Sequence, residues 1–84
     1  MRVKKLLVKL KDILSAERHA QLEKYSSLKK VLKALRVEKS RLKKELAESS
    51  DENERQDLAT RLKVISAQRK KGLTVLKELK KERK

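Results

Sequence analysis

Ser49-Ser50-Asp51-Glu52-Asn53-Glu54 is the one polar, cap-rich cluster in the chain, and its reading decides the fold. Ser49 with Glu52, and Asp51 with Glu54, have capping-box spacing. In that arrangement a side-chain oxygen accepts from an orphan backbone amide while the acid three residues on reaches back. Glu52, Glu54 and Asp57 then fall in the first turns of the next helix, where the positive end of its dipole favours them. The cluster predicts the end of one helix, a tight turn and the start of another. The rival is one unbroken helix over residues 15–84, because neither Gly nor Pro stands at the turn. The cap signals favour the hairpin.

Working outward, both flanks carry a leucine stripe. On one side Tyr25, Leu28, Leu32, Leu35, Leu42 and Leu46 alternate steps of three and four, with Lys39 as the charged interruption. On the other side Leu58, Leu62, Ile65, Leu76 and Leu79 repeat the pattern, with Arg69 and Gly72 in the two seam positions between. Such heptad spacing keeps one seam of a helix facing a partner. Arg69 and Gly72 weaken the middle of the second arm. The Arg69-Lys70-Lys71-Gly72 sequence also has the form of a helix stop, but Leu73, Leu76 and Leu79 resume helical spacing at once, so a continuous helix is expected. Upstream, Leu14 and Leu22 join the first stripe only if a stutter is allowed near Arg18.

The expected organisation is all-α. Residues 15–48 form one long helix, 49–53 an acidic turn and 54–84 a second long helix, arranged as an antiparallel hairpin. Residues 1–14 form a separate short basic helix, with Val3, Leu6, Leu7, Leu10, Ile13 and Leu14 on one face and Lys4, Lys5, Lys9 and Lys11 on the other. Ser15 is placed to cap the helix that follows. The apolar face of residues 1–14 must be covered, either by the open end of the hairpin or by another chain or a membrane surface.

Composition bounds the rest. The chain has 84 residues, with 26 Lys and Arg against 12 Asp and Glu, for a net charge of +14. Cysteine, proline, tryptophan and phenylalanine are absent, so disulfides, thiolate metal sites and cysteine nucleophiles are excluded. The longest run of large apolar residues, Leu6-Leu7-Val8, falls far short of the ~20 that span a bilayer and is too short for a signal-peptide core. The expected location is therefore cytoplasmic or nucleoid-associated. By segment, residues 1–14 carry +4, 15–48 carry +5, 49–57 carry −3 and 58–84 carry +8. A hairpin would then be acidic at its tip and basic at its open end. Arg2, Lys4 and Lys5 would gather there with Lys77, Lys80, Lys81, Arg83 and Lys84, backed by Arg69, Lys70 and Lys71. Charge of this size calls for an anionic partner such as nucleic-acid phosphates, an acidic protein or an anionic membrane.

Few residues could carry chemistry. His19 has Glu23 as its i+4 neighbour, a metal-compatible spacing, but one imidazole with exposed carboxylates makes a poor site. Tyr25 reads as a core residue, and the Ser26-Ser27 and Ser49-Ser50 pairs as surface or cap residues with no base nearby in sequence. The single glycine cannot build a phosphate-cradling loop, and there is no finger spacing of Cys and His. One aromatic residue cannot make a base-stacking platform, so any nucleic-acid contact would be driven by phosphate and shape. No catalytic residue, cofactor, metal or small-molecule substrate is expected.

Over residues 15–84 this layout resembles the Rop-type hairpins of plasmid copy control, which pair into four-helix bundles. The likeness is of architecture, with no shared motif. An isolated hairpin would expose one side of both seams, so a homo-oligomer, or a complex with another helical protein, is expected through Tyr25, Leu28, Leu32, Leu35, Leu42, Leu58, Leu62, Ile65, Leu76 and Leu79. Two alternatives accompany that expectation. One is a sequence-independent nucleic-acid-binding accessory protein using the basic open end, and the other is membrane-surface association through residues 1–14.

Overall fold

The computed structural model describes residues 2–82, with side chains from Val3 onward. Four helices follow one another: α1 (Arg2–Ser15), α2 (Arg18–Glu23), α3 (Tyr25–Glu48) and α4 (Glu52–Glu82). Helices α3 and α4 form the antiparallel hairpin, and α1 packs along both of them. The result is a rod of 49 × 18 × 16 Å. Its core is the heptad pattern made physical. Leu28, Leu35 and Leu42 of α3 meet Leu58, Ile65, Gly72 and Leu79 of α4, all of them buried.

The covering of residues 1–14 comes from the chain itself. Leu10 and Ile13 of α1 are 0% and 4% exposed, and Val3, Leu6, Leu7 and Leu14 pack against the same core. Burying a leucine or isoleucine side chain contributes about 1.5–3 kcal/mol, so α1 supplies a large share of the stability of so small a rod. Along the part of the rod that α1 reaches, the molecule is a three-helix bundle. Of the coverings open to residues 1–14, the hairpin of the same chain is the one used, and α1 occupies one side of it. All ten leucine-seam residues named for self-association take part in the intramolecular core.

Gly72 explains how three helices close so tightly. It lies inside an uninterrupted α4 with no positive φ. A methyl group added to it would sit 2.6 Å from Leu32 Cδ2 and 3.1 Å from Leu10 Cδ1. The position that reads as a weak point in the stripe is where side chains of α1 and α3 press on α4, and a methyl group there would have to displace Leu32.

The boundaries shift for identifiable reasons. Ser15 ends α1 instead of capping the next helix: its hydroxyl donates to the Asp12 carbonyl at 3.2 Å. The C-terminal carbonyls of α1 are satisfied by Gln21, buried at 6% exposure, whose Nε2 donates to Ile13 O at 3.1 Å and Leu14 O at 3.2 Å. The expected stutter near Arg18 is a break at Ala16 and Glu17, followed by an irregular residue at Lys24 (φ −97°, ψ 15°) between α2 and α3. At the hairpin tip, Asp51 caps α4 and its Oδ1 accepts from the Asn53 amide at 3.0 Å, so α4 begins at Glu52, two residues earlier than expected. The Ser49–Glu52 capping box does not form, since Ser49 Oγ is buried with no hydrogen-bond partner. Instead Arg55 Nη1 crosses the turn and donates to Leu46 O at 2.7 Å and Ser49 O at 3.0 Å. Among the described residues, no helix is long and apolar enough to cross a membrane.

Candidate functional site

Two contacts orient the faces of the rod. Arg61 of α4 shares a shallow groove with Val3, Lys4 and Leu7 of α1, so the line it begins, continuing through half-buried Gln68 and Val75 at seven-residue steps, faces α1. Arg69 Nε donates to Leu32 O at 3.2 Å and Arg55 reaches Leu46 O, so the α4 line Arg55, Leu62, Arg69, Leu76 meets the α3 line Tyr25, Leu32, Lys39, Leu46. These two lines form the floor of the α3–α4 face turned away from α1.

Helical geometry then gives the composition of that face. At 100° per residue, the residues projecting straight from it are Lys29, Arg36 and Lys43 on α3 and half-buried Ala59, Ser66 and Leu73 on α4, with Lys63, Lys70 and Lys77 in the next row of α4, about 40° further toward its outer edge. All six cations are exposed. Seven residues advance a helix by about 10.5 Å, so each row is roughly 21 Å long, and the antiparallel hairpin sets the rows side by side. Lys80 flanks the α4 row, and Lys39 and Arg69 place positive charge on the floor itself.

The acids lie elsewhere. Glu38 and Glu45 sit on the α1-facing edge of α3, and Glu38 is buried there at 4% exposure. On α4, Asp57 lies one turn before Arg61 on the α1-facing side, and Glu78 and Glu82 lie where Arg18 of α2 reaches them. Each acid found in an Arg ion pair pairs with a cation outside the face: Arg18 with Glu78 at 2.8 Å and Glu82 at 3.4 Å, Arg61 with Asp57 at 3.2 Å, and Arg41 with Glu38 and Glu45 at 3.8 Å. Among the described residues, none of the six row cations forms an ion pair. Between Arg55 and Lys80 the face carries no acid at all. Unpaired like charges crowded on a low-dielectric surface sum their potentials, which favours a multivalent anion over water and salt.

The residues named from sequence divide accordingly. Lys70, Lys77 and Lys80 belong to this face, and Arg69 lies in its floor. Lys71 points to the α1 side and Lys81 to the outer edge of α4, and Arg83 and Lys84 lie outside the described residues. Helix α1 runs antiparallel to α3, so its N-terminal half lies at mid-rod. This places Lys4 beside Arg61 instead of at the open end, and Lys5 on the outer surface of α1. Arg2 begins α1 at that same distance from the open end. The open end is therefore not the densest basic region, and part of its charge is met by Arg18 bridging to Glu78 and Glu82. Lys29, Arg36, Lys43 and Lys63 complete the face. Their signal in the sequence is the seven-residue spacing of like charges, which matters only once the rotation of each helix is known.

His19 Nε2 lies 3.3 Å from Glu23 Oε1, an exposed i,i+4 pair, and no grouping of three or more metal-ligating side chains occurs among the described residues. Fold and site together define a small basic three-helix bundle with one acid-free cationic face. Compared with models of protein families, with curated proteins and with solved structures, the chain matches none.

Proposed function

We propose that this is a non-enzymatic binding protein that holds a polyanionic partner against the α3–α4 face opposite α1. The observation that carries the reading is the segregation of charge. Six exposed cations stand in two parallel rows, and the ion-paired acids are on the other edges of the rod. A lysine-rich surface that served only solubility would interleave its acids with its bases, as the α1-facing edges do with Arg41, Glu38 and Glu45. Self-association through the leucine seam is not part of this reading, because the seam residues already take part in the chain's own core.

Retention on immobilised heparin tests it. Lys29→Gln with Lys70→Gln removes two positive charges from the face, and Lys5→Gln with Lys9→Gln removes the same charge from the outer side of α1. The first variant is expected to elute at clearly lower salt than the parent, and the second close to it. Equal shifts in both would mean that retention follows net charge alone, and the face would have no special role.

A further inference from the structure

We infer that the polyanion is a nucleic-acid duplex, gripped through its phosphates without regard to base sequence. This deepens the reading above and rests on it. Four features of the face select the duplex.

The cations form two rows and not one. A single strand offers one line of phosphates, whereas a duplex offers two strand backbones flanking each groove, at one charge per ~1.7 Å of helix axis. Two helices lying side by side present a broad ledge, roughly 21 Å long, that can lie across both backbones. Second, the face lacks what holds unpaired bases. Single strands are bound by stacking on aromatic side chains. The one aromatic residue, Tyr25, lies at the end of the floor and is 7% exposed, so it offers no ring face to a base.

Third, the face does not suit a membrane. Surface helices hold to lipid by inserting apolar side chains below a basic belt. The large hydrophobic side chains that are exposed, Val8, Val37 and Val64, lie off both the rows and the floor. Fourth, the floor does not suit an acidic amphipathic helix. Such a helix needs an apolar groove. Here Lys39 interrupts the α3 side of the floor, and Arg69 separates half-buried Leu62 from Leu76 on the α4 side. What remains is a flat ledge of long, flexible cations with no group shaped to enter a groove, so bases go unread.

The test is a fluorescence anisotropy titration of the intact protein over 50–300 mM salt. Its probes are a random-sequence DNA duplex, one of its single strands, and phosphatidylserine vesicles followed by flotation. Six phosphate contacts correspond to a slope of log affinity against log salt of about −5 on duplex DNA. Arg36→Gln with Lys70→Gln removes the middle cation of each row. The slope is expected to become shallower by about 1.8, with roughly 60-fold weaker binding at 0.1 M salt. Lys5→Gln with Lys9→Gln is expected to leave the slope unchanged, and two duplexes of different sequence should bind alike. All four positions are exposed, and circular dichroism checks that both variants remain helical. Tighter binding to the single strand, or vesicle capture without duplex binding, would overturn the duplex assignment while leaving the polyanion reading intact. A slope that is the same in the Arg36/Lys70 variant and the parent would overturn both, as would an absence of binding to heparin and to every probe.

Discussion

At residue scale the fold turns on two side chains whose importance depends on a third helix. Gly72 is the first. Replacing it with alanine brings a helix-propensity gain of about 1 kcal/mol. The added methyl must also displace Leu32 and Leu10, both in a packed core, at an overpacking cost of about 1–3 kcal/mol. Gly72→Ala is therefore expected to lower stability by up to about 2 kcal/mol in urea denaturation, and Gly72→Val by more. A gain in stability for Gly72→Ala would show that the core at this point is looser than described. Gln21 is the second. Removing its amide takes that donor from the Leu14 carbonyl and leaves the Ile13 carbonyl with the Ala16 amide alone, and Gln21→Ala should cost about 1–3 kcal/mol by the same measurement. Neither role was legible beforehand. A glycine in a heptad seam looks like a loss of packing until another helix is known to press against it. A glutamine within an amphipathic stretch looks like any polar residue until the end of the preceding helix is found beneath it.

At the scale of the elements, the hairpin was legible and the docking of α1 was not. The leucine lines of α3 and α4 follow from their own spacing, and Asp51 caps α4 by the chemistry its position promises. The amphipathic face of α1 says that it must be covered but is indifferent to what covers it, since its own hairpin, a second chain and a lipid surface all satisfy the same leucines. The direction of α1 was equally hidden. It depends on the break at Ala16 and Glu17, which lets the chain reverse, and on Gln21, which holds the two helices together there. That reversal moves Lys4 away from the open end to Arg61, dispersing the basic cluster expected from segment charges alone. Leu10 is the anchor of this element. Leu10→Ala should destabilise the protein by about 2–5 kcal/mol, measured by thermal or urea unfolding, because its side chain is fully buried at the meeting point of three helices. A loss below about 0.5 kcal/mol would mean that α1 does not dock in solution.

At the scale of the whole molecule, an excess of 14 positive charges opposes both compaction and self-association, and the structure manages it by sorting. Acids are concentrated on the α1-facing edges and at the tip, where they pair with Arg18, Arg41 and Arg61, and cations are left unpaired on the remaining face. With the leucine-seam residues taken up in the chain's own core, sedimentation equilibrium should give the 9.8 kDa monomer in 0.5 M salt, where charge repulsion is screened. A dimer there would point to an apolar surface between chains that the three-helix packing does not provide. The central claim is that one face alone meets the partner, and backbone amide shifts by NMR test it most directly, during titration with a short DNA duplex at low salt. The account expects the changes to concentrate around Lys29, Arg36, Lys43, Lys63, Lys70 and Lys77, with the outer side of α1 around Lys5 and Lys9 nearly silent. Changes spread evenly over every lysine-bearing surface, or confined to the open end around Lys80 and Lys81, would contradict it.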